Sequence, residues 1–398
     1  MKPTKTLALF LSLLLGSTPF CAAADEKDKL QFSGFTRLIL GYLDDKNAEY
    51  VGYDNSISLD QQSLIGLQAD YTFSEQLSFT GQFIGHSGEQ RSSGLEWLYL
   101  TYTPTKEWRI KLGKQRIPFF NYSDSLDVGF AYPWLTLPQQ FYDTAFFSTF
   151  EGILANYEYV ADNWVLNFEG YWGIYDDKIY LASGEIDTQV TGLFGFNTSA
   201  AVNGWTFRAA YNQGNADLTL PGAAQFVEVL NQYGFSQSAE TLNPDGLIRF
   251  YQVSANYENL DYFIRSEMAT MVGESGPVPD IDSFYISAGY NFYPYTIYIS
   301  YGERDVHYDH PANEIPYGIS TELDVVAATY DSVLAGFPDD KTQGTKIGLR
   351  WDWRYNVAFK GEVTYVNADK VSNDFALKDL GNFDNSAVLY QLGVEWVF

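Results

Sequence analysis

From about residue 30 to the C-terminus the chain repeats one unit, a run of roughly ten residues in which every second side chain is apolar or aromatic. Leu77, Phe79, Gly81 and Phe83 alternate with Ser78, Thr80 and Gln82. Trp164, Leu166, Phe168, Gly170 and Trp172 alternate with Asn167, Glu169 and Tyr171. Val357, Phe359, Gly361, Val363 and Tyr365 alternate with Lys360, Glu362 and Thr364. A period of two puts each apolar set on one face of a strand. The pattern predicts strands near 30–42, 57–73, 77–86, 94–103, 108–116, 149–160, 164–175, 187–199, 204–213, 248–257, 261–272, 282–292, 295–304, 343–353, 356–367 and 387–398, sixteen in all.

The connections fix how such strands are arranged. Every second one is a tight turn, as at Ser74–Gln76, Ala161–Asn163 and Tyr293-Pro294; the others are long and hold most of the Pro and Asp. Strict alternation of short and long connections belongs to an up-and-down barrel spanning a membrane, with both termini on the short-turn side. A Greek-key sandwich has no reason to alternate in this way. Tryptophan agrees: Trp108, Trp164, Trp205, Trp351, Trp353 and Trp396 flank short turns or the C-terminus, and Trp97 and Trp172 lie toward long-loop ends. Amphipathic rings collect at membrane interfaces. Composition fits strands with one greasy and one wet face: 31 Tyr and 29 Phe are present, yet mean hydropathy is −0.20.

The N-terminus reads as a secretory leader. Lys2 and Lys5 precede an apolar core from Leu7 to Leu15, and Ala22-Ala23-Ala24 makes a small-residue cleavage site. Residues 1–24 are thus a signal peptide and 25–398 the exported barrel, with Cys21, the one cysteine, lost on cleavage. Losing Lys2 and Lys5 takes the net charge from −26 to −28. Such acidity argues against nucleic acid as a partner, and no cofactor motif is present. The tail Tyr390, Leu392, Val394, Trp396, Phe398 forms a final apolar face. It resembles the C-terminal signal of outer-membrane barrels, which the barrel-assembly machinery reads; its open edge is expected to close on strand one.

The third long connection runs from Ile117 through Asp143 and is crowded with aromatics. Projecting outward it would be poorly soluble. The run Leu112-Gly113-Lys114-Gln115-Arg116-Ile117-Pro118, with Tyr122-Ser123-Asp124 and Tyr132-Pro133-Trp134, resembles the general trimeric porins of Gram-negative bacteria, and within them a group from marine and environmental proteobacteria. That resemblance implies an outer-membrane diffusion channel for small hydrophilic solutes and ions, homotrimeric, in contact with lipid and lipopolysaccharide, with mild cation preference. It also implies a third loop folded inward, with loop carboxylates facing a ladder of wall bases. The candidates are Asp124, Asp127, Tyr132, Trp134 and Asp143 on the loop, and Arg37, Arg109, Lys111, Arg116, Lys346, Arg350 and Lys360 on the wall. Strand parity puts these bases inside, except Arg116, which with Lys114 needs a bulge or a rim position. The loop lacks the Pro-Glu-Phe-Gly-Gly-type tip of enterobacterial porins, so its constricting carboxylates are not assigned by the resemblance.

Short helices are expected in two other long connections. One starts at Pro221, with Phe226, Val229, Leu230 and Tyr233 on one face and Gly234 as cap; the other is capped by Thr321, with Leu323, Val326, Ala327 and Tyr330 together. Two alternatives to a general porin are a substrate-specific channel, for anions or for oligosaccharides sliding on loop aromatics (Phe119, Phe120, Tyr122, Tyr132, Trp134, Tyr142), and an outer-membrane hydrolase. For the latter only His86 beside Ser87, and His307 with Asp309 and His310, offer chemistry. The expected reading is a channel, not an enzyme, with no cofactor. Calcium between loop carboxylates and lipopolysaccharide fits the charge, but the sequence does not locate it.

Overall fold

The computed structural model describes residues 29–398 except 89–90, 92, 145–146, 182–183, 220–221, 244, 275, 309–312, 370–373 and 379–382. The proposed leader, 1–24, lies outside the described residues. Sixteen antiparallel strands close into one barrel, each paired with its neighbours in sequence and the last with the first. They are β1 (Leu30–Leu43), β3 (Leu64–Ser74), β4 (Leu77–His86), β5 (Gly94–Tyr102), β6 (Trp108–Arg116), β7 (Thr149–Val160), β8 (Val165–Leu181) and β9 (Gly184–Val202). The circuit continues through β10 (Trp205–Leu218), β11 (Gly246–Glu258), β12 (Tyr262–Gly273), β13 (Asp280–Phe292), β14 (Tyr295–His307), β15 (Asp340–Arg354), β16 (Val357–Ala368) and β18 (Ser386–Val397). Two further short strands, β2 (Ala48–Tyr50) and β17 (Phe375–Leu377), pair outside the barrel.

The alternation decides which face is which. Outward positions such as Leu67, Phe83, Leu100, Leu112, Phe196, Val253, Ile299, Ile347 and Leu392 are exposed and apolar, which makes a continuous greasy belt. Among the described residues no helix is long and apolar enough to cross a membrane. At the short-turn end the aromatics touch from strand to strand: Tyr290 stacks on Phe292, Phe292 packs on Tyr295, Tyr295 on Trp351, and Trp351 on Phe359. The turns themselves are tight. At Asn203-Gly204 both residues have positive φ, 49° and 83°, the conformation of a two-residue hairpin turn that asparagine and glycine adopt most easily.

Two strand expectations need correction. Residues 57–63 are not continuous strand; Ser58 bridges Gly41, but the chain then loops out, the Ser63 hydroxyl takes the Ile39 N–H in place of a backbone carbonyl, and β3 begins at Leu64. The fourth long connection is instead a tall hairpin, since β8 and β9 continue to Leu181 and from Gly184. Their inward residues Tyr175, Ile179, Ile186 and Val190 remain buried in the barrel's largest apolar cluster, so the alternation pays to continue.

The C-terminal strand seals the barrel. Tyr42 faces Tyr390, Leu40 faces Leu392, Leu38 faces Val394 and Thr36 faces Trp396. Gly34 and Phe398 exchange backbone hydrogen bonds of 2.8 and 2.9 Å, and the Phe398 ring covers the place where a Gly34 side chain would be. Trp396 and Phe398 pack ring to ring at 4.5 Å. Deleting Phe398 is expected to lower the yield of heat-modifiable folded barrel, while barrels that do close keep wild-type conductance. A variant with normal yield and altered conductance would contradict this.

Candidate functional site: the third loop in the lumen

The third long loop, residues 117–148, enters the barrel because β6 breaks away from β5. Their ladder ends at Lys114, and Gly113 sits at φ +135° with its Cα against the Leu98 carbonyl, a place no Cβ fits. Beyond this bend Gln115 and Arg116 are buried, although the strand's alternation alone would send Arg116 outward. Lys114 is half-buried and lies 3.9 Å from Asp177 at the same rim. The loop then crosses the lumen through a turn of 3-10 helix at Gly129–Ala131 and a short helix at Gln139–Tyr142.

Its root is an ion cluster. Asp127 is held by Arg91 at 2.6 Å and Arg116 at 2.6 Å, and Glu96 lies 2.7 Å from Arg116. Burial opposes ionisation of Asp127, but the two guanidinium groups outweigh it and hold the carboxyl well below the usual carboxylate range. The buried acid is thus ionised and fully spent on structure.

Beyond the root, the loop is bonded to the wall formed by β10 to β18 and β1. Closure sets Arg37 opposite Glu395 and Arg350 opposite Lys360 on the inner face. Lys360 donates to the backbone carbonyls of Gly129, Tyr132 and Trp134 at 2.7, 2.9 and 2.6 Å. Lys346 donates to Thr136 at 2.6 Å and lies 3.2 Å from Glu362. Arg350 donates to the carbonyls of Phe130 and Tyr132, each at 2.9 Å. Arg37 donates to the Asp127 carbonyl and the Tyr132 hydroxyl and pairs with Glu395 at 3.3 Å. Arg208 reaches the carbonyls of Pro118 and Phe119.

Carboxylates on the same wall take the loop's N–H and O–H groups. Glu362 accepts from Leu135 N at 2.7 Å and from the Thr136 hydroxyl at 3.0 Å. Glu267 accepts from Asn121 N at 2.9 Å and from the hydroxyls of Tyr142 and Tyr285. Packing is equally close: a Cβ on Gly129 would overlap Glu395, and one on Gly393 would overlap Leu135.

The candidate residues therefore separate into two sets. Tyr132 and Trp134 are buried under the loop rather than lining it, and Phe119, Phe120 and Tyr142 join the same core. Among the described residues, Phe119, Tyr142 and Trp134 pack on Phe250, Tyr285 and one another instead of forming an exposed slide. Arg37, Lys346, Arg350 and Lys360 point inward as parity requires, but they are bonded to the loop.

On β3 to β9 the inward side chains are mixed: Phe150, Leu154, Tyr171, Tyr175 and Leu193 pack into the loop's core, while a polar set keeps solvent access. Arg109 and Glu158 are exposed, and Asp70, Tyr99, Lys111, Asn156, Asn167 and Glu169 are half-buried. Asp124 is the exposed carboxylate of the loop on this side, within electrostatic reach of Tyr99 and Glu169. Lys111 lies 5.0 Å above the Tyr99 ring. Solvent access in the lumen is thus found on polar side chains of β3 to β8, across from the strands that hold the loop.

Three features had no clear sequence signal. The mid-strand carboxylates Glu267, Glu362 and Glu395 share the parity of the bases, which could have marked them. Arg91 sits in the second of the long-side connections, with nothing in the sequence to show that it turns inward. The β2–β17 pair brings the first and last long loops over the third, with Tyr50 bonded to Gln139 and Gln140 and Asp374 to Arg304. The two expected helices appear as Ala223–Tyr233, ended by Gly234 at φ +87°, and Thr321–Leu334, capped by Ser320 rather than Thr321. Pro221 lies outside the described residues. The helices pack on each other through Leu230, Val326, Ala327 and Tyr330.

Of the two hydrolase candidates, one can be placed among the described residues and the other only in part. Ser87 donates its hydroxyl to the Ser63 carbonyl, away from His86. His307 lies 3.1 Å from Asp339, and Asp309 and His310 lie outside the described residues. No cluster of metal-ligating side chains occurs among the described residues.

A closed barrel with an outer apolar belt and an inner loop defines a channel-type architecture. No family model matches the sequence, and no curated protein does. Solved structures do. A loop L8 deletion mutant of OmpT, an outer membrane protein of Vibrio cholerae, is 13% identical with a TM-score of 0.55, covering 93% of this chain and 100% of that one. An anion-selective porin from Comamonas acidovorans is 11% identical with a TM-score of 0.55, covering 93% and 99%. OmpF of Salmonella typhi, in complex with daunomycin, is 13% identical at 0.55, covering 93% and 97%. At these identities the likeness is one of fold: the chain has the sixteen-stranded barrel of the Gram-negative general porins.

Lys360→Met leaves three loop carbonyls and Glu395 short of a buried partner, and should destabilise the folded barrel by about 3 kcal/mol. Lys46→Met, on an exposed loop, should stay within about 0.5 kcal/mol. Denaturant unfolding in detergent measures both. Asp143, at the far end of the loop, is open to the lumen but surrounded by protein, which pushes its carboxyl up to about 6 against the pull of Arg304. A carboxyl raised in the fold loses stability as pH rises from its unfolded value toward 6. Asp143→Asn should therefore flatten the thermal midpoint across that window and raise it modestly above it.

Proposed function

We propose that this chain is an outer-membrane porin, exported by the leader 1–24 and inserted through its C-terminal strand. It forms a water-filled channel for passive diffusion of small hydrophilic solutes and ions. The observation that supports this reading best is the division of the inner wall. The loop is bonded to the wall from β10 round to β1, and β3 to β8 keep solvent-accessible Asp, Glu, Asn, Arg and Lys side chains. The apolar belt and aromatic girdle suit a bilayer on the outside.

The fold does not decide selectivity, since the Comamonas protein of the same architecture is named anion-selective. Selectivity rests on the charges left free along the passage. Asp70, Asp124, Glu158 and Glu169 outnumber Arg109 and Lys111 there, so cations are favoured mildly. Asp127 and Asp143, and the bases engaged by the loop, contribute less, because their charges are paired or lie away from this wall. A homotrimer is proposed as well; the Vibrio cholerae OmpT structures include a trimer form.

Planar-bilayer recordings test the reading. Refolded protein should conduct, and its reversal potential in a salt gradient should favour cations. Asp124→Asn should reduce that preference, and Arg109→Gln with Lys111→Gln should increase it. Arg350→Gln should change stability more than selectivity. Correctly folded protein that carries no current would overturn the channel.

A further inference from the structure

Between the stems of the third loop and the wall lies a recess that the channel reading does not use. The two stems of the third loop roof it, with Phe119 on one and Phe147 on the other, and β9 to β12 form its floor through Leu193, Ile248, Phe250 and Met271. Centres of water-sized spheres occupy ≈ 40 Å³ of it, about three times the ~10–15 Å³ that one water needs. Its lining is almost wholly apolar, so water gains little there. Three polar side chains reach it, Thr144, Asn212 and Gln213; Gln213 is half-buried and accepts from the Tyr211 hydroxyl, whereas Asn212 is out of keeping. Asn212 is 2% exposed and accepts from the Tyr171 hydroxyl at 2.7 Å through its Oδ1. Its Nδ2 is buried without a hydrogen-bond partner among the described residues. Thr144 also lines the recess, but its hydroxyl is directed to the Phe141 carbonyl and makes no bond with Nδ2. A buried amide donor left unmatched in an apolar recess is costly, and an occupant with one acceptor removes that cost.

We propose that this recess binds the compact apolar end of a small solute carrying one hydroxyl or carbonyl oxygen, which accepts from Asn212 Nδ2. Size limits the buried end to a branched aliphatic group or a small ring, with any larger part of the molecule in the lumen. The aromatic roof excludes ions and highly hydrated groups, so such solutes are held where ions are not. The proposal rests on the porin reading only for the route by which a solute arrives.

Saturation-transfer NMR on the full refolded chain in detergent tests it, with cyclopentanol and cyclopentane as the ligands. Wild type should show transfer to both. Asn212→Leu should weaken cyclopentanol about fivefold, the worth of one hydrogen bond, and leave cyclopentane unchanged. Met271→Trp, which fills the recess, should abolish transfer to both; heat-modifiable migration on gels confirms folding of each variant. Absence of transfer to wild type, or transfer unchanged in Met271→Trp, overturns the site. The measurement involves no conductance, so failure of the channel and failure of the recess are separate results.

Discussion

The third loop carries no basic residue, and its backbone lies inside a barrel, where each unmet N–H or carbonyl is costly. The structure depends on how that demand is met. Lys346, Lys360, Arg37, Arg208 and Arg350 supply donors to loop oxygens, and Glu267 and Glu362 accept from its N–H and O–H groups. Each wall charge is itself compensated, by the loop or by a neighbour such as Glu395. The wall from β10 round to β1 is thereby committed to holding the loop, and the accessible inward charges Asp70, Arg109, Lys111, Glu158 and Glu169 belong to β3 to β8.

This arrangement presupposes closure. Arg37 belongs to the first barrel strand and Glu395, Lys360 and Arg350 to the last three, and only the seam between β1 and β18 makes them neighbours. The same strand carries Phe398 outside and Glu395 inside, so the seam serves both the bilayer face and the loop. At the opposite rim, loops one and eight rest on the third through Tyr50, and loops five and seven share a small core of their own. The mouth is therefore built from two separate caps, one bonded to the narrowing loop and one to itself.

Much of the fold was legible locally. Strands such as β4, β6, β7 and β16 fall where alternation places them, since a period of two survives any tertiary arrangement. The exceptions are instructive. Residues 57–63 alternate like a strand but pair with β1 only at Ser58, because the Ser63 side chain replaces the backbone as the partner of Ile39, a contact made between elements. β8 and β9 outrun their expected ends because the inward apolar positions find a core above the rim. In the site, inward parity of the bases was readable, but what they face was not. Tyr132 and Trp134 look like lining residues in a list of aromatics, and only docking shows that their rings are the underside of the loop. Asp127 looks equivalent to Asp124 until Arg91 and Arg116 are seen on either side of it.

Period, connection length and charge settle by themselves that this chain makes a sixteen-stranded antiparallel sheet with one apolar and one polar face, because those properties follow from how successive side chains alternate. Which polar residues are hydrated and which are buried is decided by the tertiary structure. It depends on the loop's choice of wall, and that choice follows from complementary charges and hydrogen-bonding groups on strands far apart in the chain. Parity names the side of the sheet; only closure and docking determine what waits there.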